Sequence, residues 1–169
     1  EYLSVDGGFR LLVAGGGSIG SPIGEGSVSF DALGAISNIN GFRFGIFVKI
    51  TTETGLPIIP GVLTLDEIGA GFFYNPEVDD FEHIKSTAGH NFDNSTGGER
   101  IAPWDQTTSA FAVALYARAT LINDGVANGS ALLVVTSSFL YLDMNATLLG
   151  MEGQFDAGFT LSVKWQDKP

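Results

Sequence analysis

The stretch Gly41–Pro76, GFRFGIFVKITTETGLPIIPGVLTLDEIGAGFFYNP, decides the fold class. Its first strand-like run puts Phe42, Phe44, Ile46, Val48 and Ile50 on one face, and Arg43, Gly45, Lys49 and Thr51 on the other. A period of two with one apolar side predicts a β-strand whose apolar face is buried. The prolines of Leu56-Pro57-Ile58-Ile59-Pro60-Gly61 cannot donate to a sheet ladder, which predicts an edge or corner there. Gly69–Tyr74 resumes as a strand, and its alternating small residues predict another backbone or sheet packed close against it.

Outward from this stretch the same period recurs. Ala110–Ile122 places Phe111, Val113, Leu115, Ala117, Ala119 and Leu121 on one side. Five alanines make a helix the alternative, but the flanking runs are β-like. Ser130–Asp143 is rich in Val, Thr, Phe and Tyr. Phe155, Ala157, Phe159, Leu161, Val163 and Trp165 alternate with polar or small residues, and this run pairs with the preceding one across Gly150-Met151-Glu152-Gly153. The expectation is a single all-β domain over residues 1–169. It is an antiparallel β-sandwich or open barrel of about seven to nine strands with one long polar loop, 75–105.

Composition narrows the function classes. Hydrophobic residues are 44% and charged residues 16% of the 169, the reverse of a disordered chain's balance. The net charge is -11 and the eight Lys and Arg are scattered, which argues against a phosphate-tracking surface for nucleic acid and against an anionic membrane surface. No run of roughly 20 apolar residues is present, so no membrane span is expected on the helical criterion. With no cysteine, disulfides, thiolate metal sites and cysteine nucleophiles are excluded.

Gly15-Gly16-Gly17-Ser18-Ile19-Gly20 matches the dinucleotide pattern G-x-G-x-x-G. That pattern needs a strand feeding a helix. Here Gly24 and Gly26 follow, then the period-2 run from Ser27, and no acidic residue stands about 20 positions on, so a flexible inter-strand loop is expected and no cofactor.

The loop 75–105 holds the candidate chemistry. His83 and His90 are the only histidines and lie near Asp79, Asp80 and Asp93. These five are the candidate ligands of a divalent ion, with calcium the hard cation that loop carboxylates suit. Glu77–Lys85 could form a helical turn, with Phe81 and Ile84 touching the core. Asp66, Glu67, Asp79 and Asp105 are the acids available for paired-carboxylate chemistry, without a pattern that makes any two converge, and no nucleophile elbow is present. No enzymatic activity is expected. Trp104 and Tyr74 are the candidates for stacking on a sugar face. Asn94, Asn128 and Asn145 open Asn-x-Ser/Thr triplets, possible glycan acceptors in an extracellular setting.

Gly55-Leu56-Pro57-Ile58-Ile59-Pro60-Gly61-Val62, followed by Ile68-Gly69-Ala70-Gly71-Phe72-Phe73-Tyr74-Asn75, resembles a segment of all-β modules in very large, repetitive, cysteine-poor bacterial surface proteins. Ala70 departs from the glycine of that pattern. The resemblance covers about half the chain and implies an extracellular or cell-surface structural or adhesive module without an active site. Together with the long amphipathic strands, it leads to the expectation of a filament or surface-assembly subunit that joins copies of itself through β-strands. The alternative is a carbohydrate- or ligand-binding β-sandwich that uses the loop 75–105.

Overall fold

In the computed structural model, residues 2–5, 8–20, 27–39, 41–88, 109–121, 127–150 and 153–164 are described. They form one nine-stranded antiparallel sheet in which every strand lies beside its neighbours in sequence. The strands are β1 (Tyr2–Val5), β2 (Gly8–Gly20), β3 (Ser27–Ser37), β4 (Arg43–Ile59) and β5 (Leu63–Tyr74), then β6 (Phe111–Leu121), β7 (Ala127–Thr136), β8 (Phe139–Gly150) and β9 (Gly153–Lys164). The sheet stays open, with β1 and β9 at its two edges. The one helix among the described residues, α1 (Val78–Ala88), lies between β5 and β6. The antiparallel all-β expectation is met at the upper end of its strand count.

The alternation of β4 is real, but its sense is inverted. Arg43, Gly45, Phe47 and Lys49 are buried, whereas Phe42, Phe44, Ile46 and Ile50 are exposed. The reason is α1, which lies over the polar side and fills it with Phe81, Ile84 and Ala88. These side chains join Leu33, Phe47, Phe73, Ala112, Ala114, Leu132, Val134 and Phe139 in one core. Phe81 and Phe139 meet with ring centroids 5.7 Å apart. The expected helical turn is therefore a three-turn helix, with Phe81 and Ile84 where their spacing put them.

The small residues of β5 serve this core. A Cβ on Gly71 would stand 2.8 Å from the Phe47 ring and one on Gly69 also 2.8 Å from it; a Cβ on Gly45 would collide with Phe73. Gly45 pairs with Phe73 and Phe47 with Gly71, so each ring lies across the neighbouring strand's glycine. The close neighbours at Gly69–Gly71 are the Phe47 ring and the β4 backbone, with Ile46 O 2.7 Å from where a Cβ on Gly71 would be, and not a second sheet.

The prolines do not end β4. Pro57 is paired with Thr64, beyond a register shift between Thr51 and Leu56. Gly55, at φ 70°, sits within that shift, the left-handed conformation that glycine adopts at a β-bulge. The reversal comes at Ile59-Pro60-Gly61-Val62, where Val62 N–H donates to Ile59 O at 2.9 Å and Gly61 has φ 75°. Proline followed by a positive-φ glycine is the composition of a type II turn.

The glycine run also reads differently in three dimensions. Gly15–Gly20 is paired strand, matched residue by residue with Ser27–Ala32 of β3. Gly17 leaves room for the Phe30 ring, 3.1 Å from where a Cβ would be. It is neither a flexible loop nor the start of a helix.

Candidate functional site

Two surfaces carry the chemistry of the described chain, and they are the two faces of the sheet. The polar face is built around the attachment of α1. Arg43 Nη2 donates to Asp80 Oδ2 at 2.7 Å, and Arg43 Nη1 contacts Glu77 Oε2. Asp80 also accepts the backbone N–H of Glu77 at 2.8 Å. This is the return half of a capping box, a third-position carboxylate satisfying the amide that precedes the helix. At the other end, Lys49 Nζ donates to the carbonyl of Ala88 at 3.3 Å, a cation placed where the helix dipole is negative. Arg43 and Lys49, both on β4, thus hold the two ends of α1.

Further along this face the polar groups satisfy one another. Tyr116 Oη donates to Glu67 at 2.8 Å, and Arg118 lies 3.9 Å from the same carboxylate. Thr120 donates to Asp66 at 2.6 Å, and Thr160 to the fully buried Asp143 at 2.6 Å. Thr136 Oγ1 accepts the N–H groups of Ser138 and Phe139 and sets the β7–β8 turn. Among the described residues no buried side-chain N or O atom lacks a partner. These acids are anchored by hydroxyl, guanidinium and backbone donors.

The apolar face is the opposite in every respect. By register, Ile36, Phe44, Tyr74 and Phe111 lie side by side on β3–β6, followed by rows through Ile46, Phe72 and Val113 and through Val48, Ala70 and Leu115. The face continues on β7–β9 through Leu133, Leu142 and Leu161. Ile46, Phe159 and Val13 are more than half exposed, at 55%, 53% and 54%. Phe42, Phe44, Phe72 and Tyr74 form a connected aromatic group at the end of the sheet from which α1 departs, with Phe44 and Tyr74 stacked at 5.8 Å.

The sequence candidates distribute unevenly over these surfaces. Asp79, Asp80 and His83 are on α1. Asp80 is committed to Arg43 and the helix cap, and His83 Nδ1 lies 2.6 Å from the Asp79 carbonyl. No group of three or more metal-ligating side chains gathers among the described residues. His90, Asp93, Asn94, Trp104 and Asp105 lie outside the described residues. Tyr74 belongs to the exposed aromatic group, not to a cleft. Asn128 and Asn145 sit within β7 and β8, half-buried and paired with Thr147 and Ser130. A depression of about 450 Å³ beside α1, bordered by Gly16, Asp31, Lys49 and Thr87, is spanned by the Lys49–Asp31 pair at 3.9 Å. Sequence reading missed Arg43 and Lys49 as helix anchors; their signal was two cations alternating with apolar residues inside a strand.

Among the described residues no helix is long and apolar enough to cross a membrane, a criterion that does not bear on strands. No known family model matches the chain, and neither a curated protein nor a solved structure is significantly similar to it.

Proposed function

We propose that the protein is a structural module of a cell-surface assembly, without catalytic activity, that works by completing its sheet edge to edge with further β-structure, copies of itself foremost. One observation carries this reading: among the described residues the sheet is open, and β1 and β9 are each paired on one side only. An unpaired edge presents a row of backbone donors and acceptors that templates another strand. The fixed, mutually satisfied polar face and the anchored helix suit a rigid building block.

The strand count constrains the joint. Nine antiparallel strands leave β1 and β9 running in the same direction. Copies joined head to tail, β9 to β1, therefore meet in a parallel seam, whereas an all-antiparallel closure takes an odd number of further strands. The test uses proline, which removes a ladder donor. Successive residues of an edge strand point their N–H groups alternately inward and outward. Of Leu161→Pro and Ser162→Pro, one variant blocks the outer edge while leaving the β8 pairing intact. Sedimentation is expected to show assemblies for the unmodified chain and their loss in one of the two variants, with circular dichroism unchanged. A chain that stays monomeric at high concentration, or assembles equally well with either proline, contradicts the proposal.

A further inference from the structure

We propose that the apolar face of the sheet is a lipid-facing surface, and that the completed assembly is a transmembrane β-barrel wall with the polar face and α1 turned to its lumen. This inference rests on the edge-completed reading above and adds the solvent in which that edge is completed.

Charge segregation is the first support. The described charged residues of the strand bodies, Asp31, Lys49, Glu67, Arg118 and Asp143 among them, pair or bond on the helix side. The opposite face carries no charged side chain on any described position of β2–β9. An antiparallel sheet with one face in water alternates apolar-in and polar-out. Here the covered side is the polar one and the uncovered side is apolar, the alternation of a membrane barrel with its lumen inside.

Strand length is the second support. β6, β7, β8 and β9 have 11, 10, 12 and 12 residues, and a tilted strand needs about 9–11 residues to cross a bilayer's hydrocarbon core. The third is where the aromatics lie. Phe42, Phe44, Tyr74 and Phe111 are at the rim of the face, Phe72 stands in the next row between Ile46 and Val113, and the row after it is Val48, Ala70 and Leu115. Membrane barrels carry aromatic girdles at the interfaces. A second sheet stacked on this face would bury its centre most deeply and leave its rim polar. The small residues Gly15, Gly34, Ala70 and Ala117 of the face are filled by mobile acyl chains without the matched side chains a second sheet must supply.

A bilayer also selects among the possible joints. Copies inserted with one orientation meet β9 to β1, whereas the inverted β9-to-β9 joint would place the second copy upside down.

The chain has no cysteine, so single substitutions give unique labels. Val113→Cys and Leu161→Cys report the apolar face, and Thr120→Cys and Ser162→Cys the polar face. Each full chain, labelled with an environment-sensitive fluorophore, is refolded with dioleoylphosphatidylcholine vesicles with and without a brominated analogue of that lipid. The expected result is co-flotation with the vesicles and bromolipid quenching several-fold stronger at positions 113 and 161 than at 120 and 162. Failure to float, or equal quenching at all four, overturns the inference. Labels at 113 and 161 shielded from aqueous iodide yet untouched by bromolipid also overturn it, and identify a protein-covered face. Cross-linking of the same vesicles reads the edge joint separately. Quenching without cross-linked species counts against joining by copies and leaves the lipid face standing, while cross-linked species without quenching do the reverse.

Discussion

Both faces of this sheet carry large apolar side chains near the centre, yet one is closed by α1 and the other is open. The closed face mixes Phe47, Phe73 and Leu132 with Arg43, Lys49 and Asp143, all buried. The open face carries no charged side chain at its described strand positions, with Ile46, Leu115 and Phe159 at its surface. The buried charges of the closed face are paired, while the apolar side chains of the open face forgo the gain of about 25 cal/mol per Å² that burial away from water brings. The contrast teaches that the helix-covered side is organised by specific partners, whereas no element among the described residues covers the open side.

The strongest way to break the comparison is to remove a partner on the closed side. Arg43→Ala leaves Asp80 buried without its cation and is expected to cost about 3–5 kcal/mol, read as a fall in the denaturant midpoint. Combining Arg43→Met with Asp80→Asn should recover part of that loss, because the amide oxygen can still accept from Glu77 N–H. Phe47→Ala, which empties the space over Gly69 and Gly71, should cost a similar ~3–5 kcal/mol. Recovery in neither the double variant nor its helix signal would count against the anchoring role given to Arg43.

A charge on the open side separates the media. Leu115→Arg is expected to cost about 2–4 kcal/mol when the protein folds in vesicles, as an arginine near a bilayer midplane does. In lipid-free buffer, at an exposed position, its effect should stay within about 0.5 kcal/mol. Equal effects in the two media would contradict the lipid assignment. Thr160→Val, which strips the hydroxyl from buried Asp143, should cost about 1–3 kcal/mol. Its loss should be the same in vesicles and in buffer, because the polar face keeps its surroundings in both.

Much of the fold was legible in the sequence because a period of two survives any environment. β6 follows the alternation of Phe111, Val113 and Leu115, and β8–β9 turn where Gly150 and Gly153 predict. Which face is buried was not legible. Periodicity gives the phase of a strand but not the polarity of its surroundings, and Arg43 and Lys49 read as solvent-facing until α1 supplies Asp80 and the Ala88 carbonyl. The paired course of β4 through Pro57 was hidden for a related reason, since a bulge at Gly55 absorbs the register change that a proline otherwise forces. Of the candidate site residues, Asp80 proved to be a structural partner. His83 lies beside a helix carbonyl, and Tyr74 is part of the exposed rim.

Whether the uncovered face meets lipid can be read from a nitroxide scan of β6. Each residue from Phe111 to Leu121 is replaced in turn by a spin-labelled cysteine in vesicle-reconstituted protein. Accessibility to oxygen, which concentrates in the acyl region, is compared with accessibility to a polar nickel chelate. The account predicts a period-two profile whose oxygen maxima fall at 113, 115, 117 and 119, with the chelate excluded there. Oxygen maxima at 112, 114, 116 and 118, or chelate access to the odd positions, would contradict it.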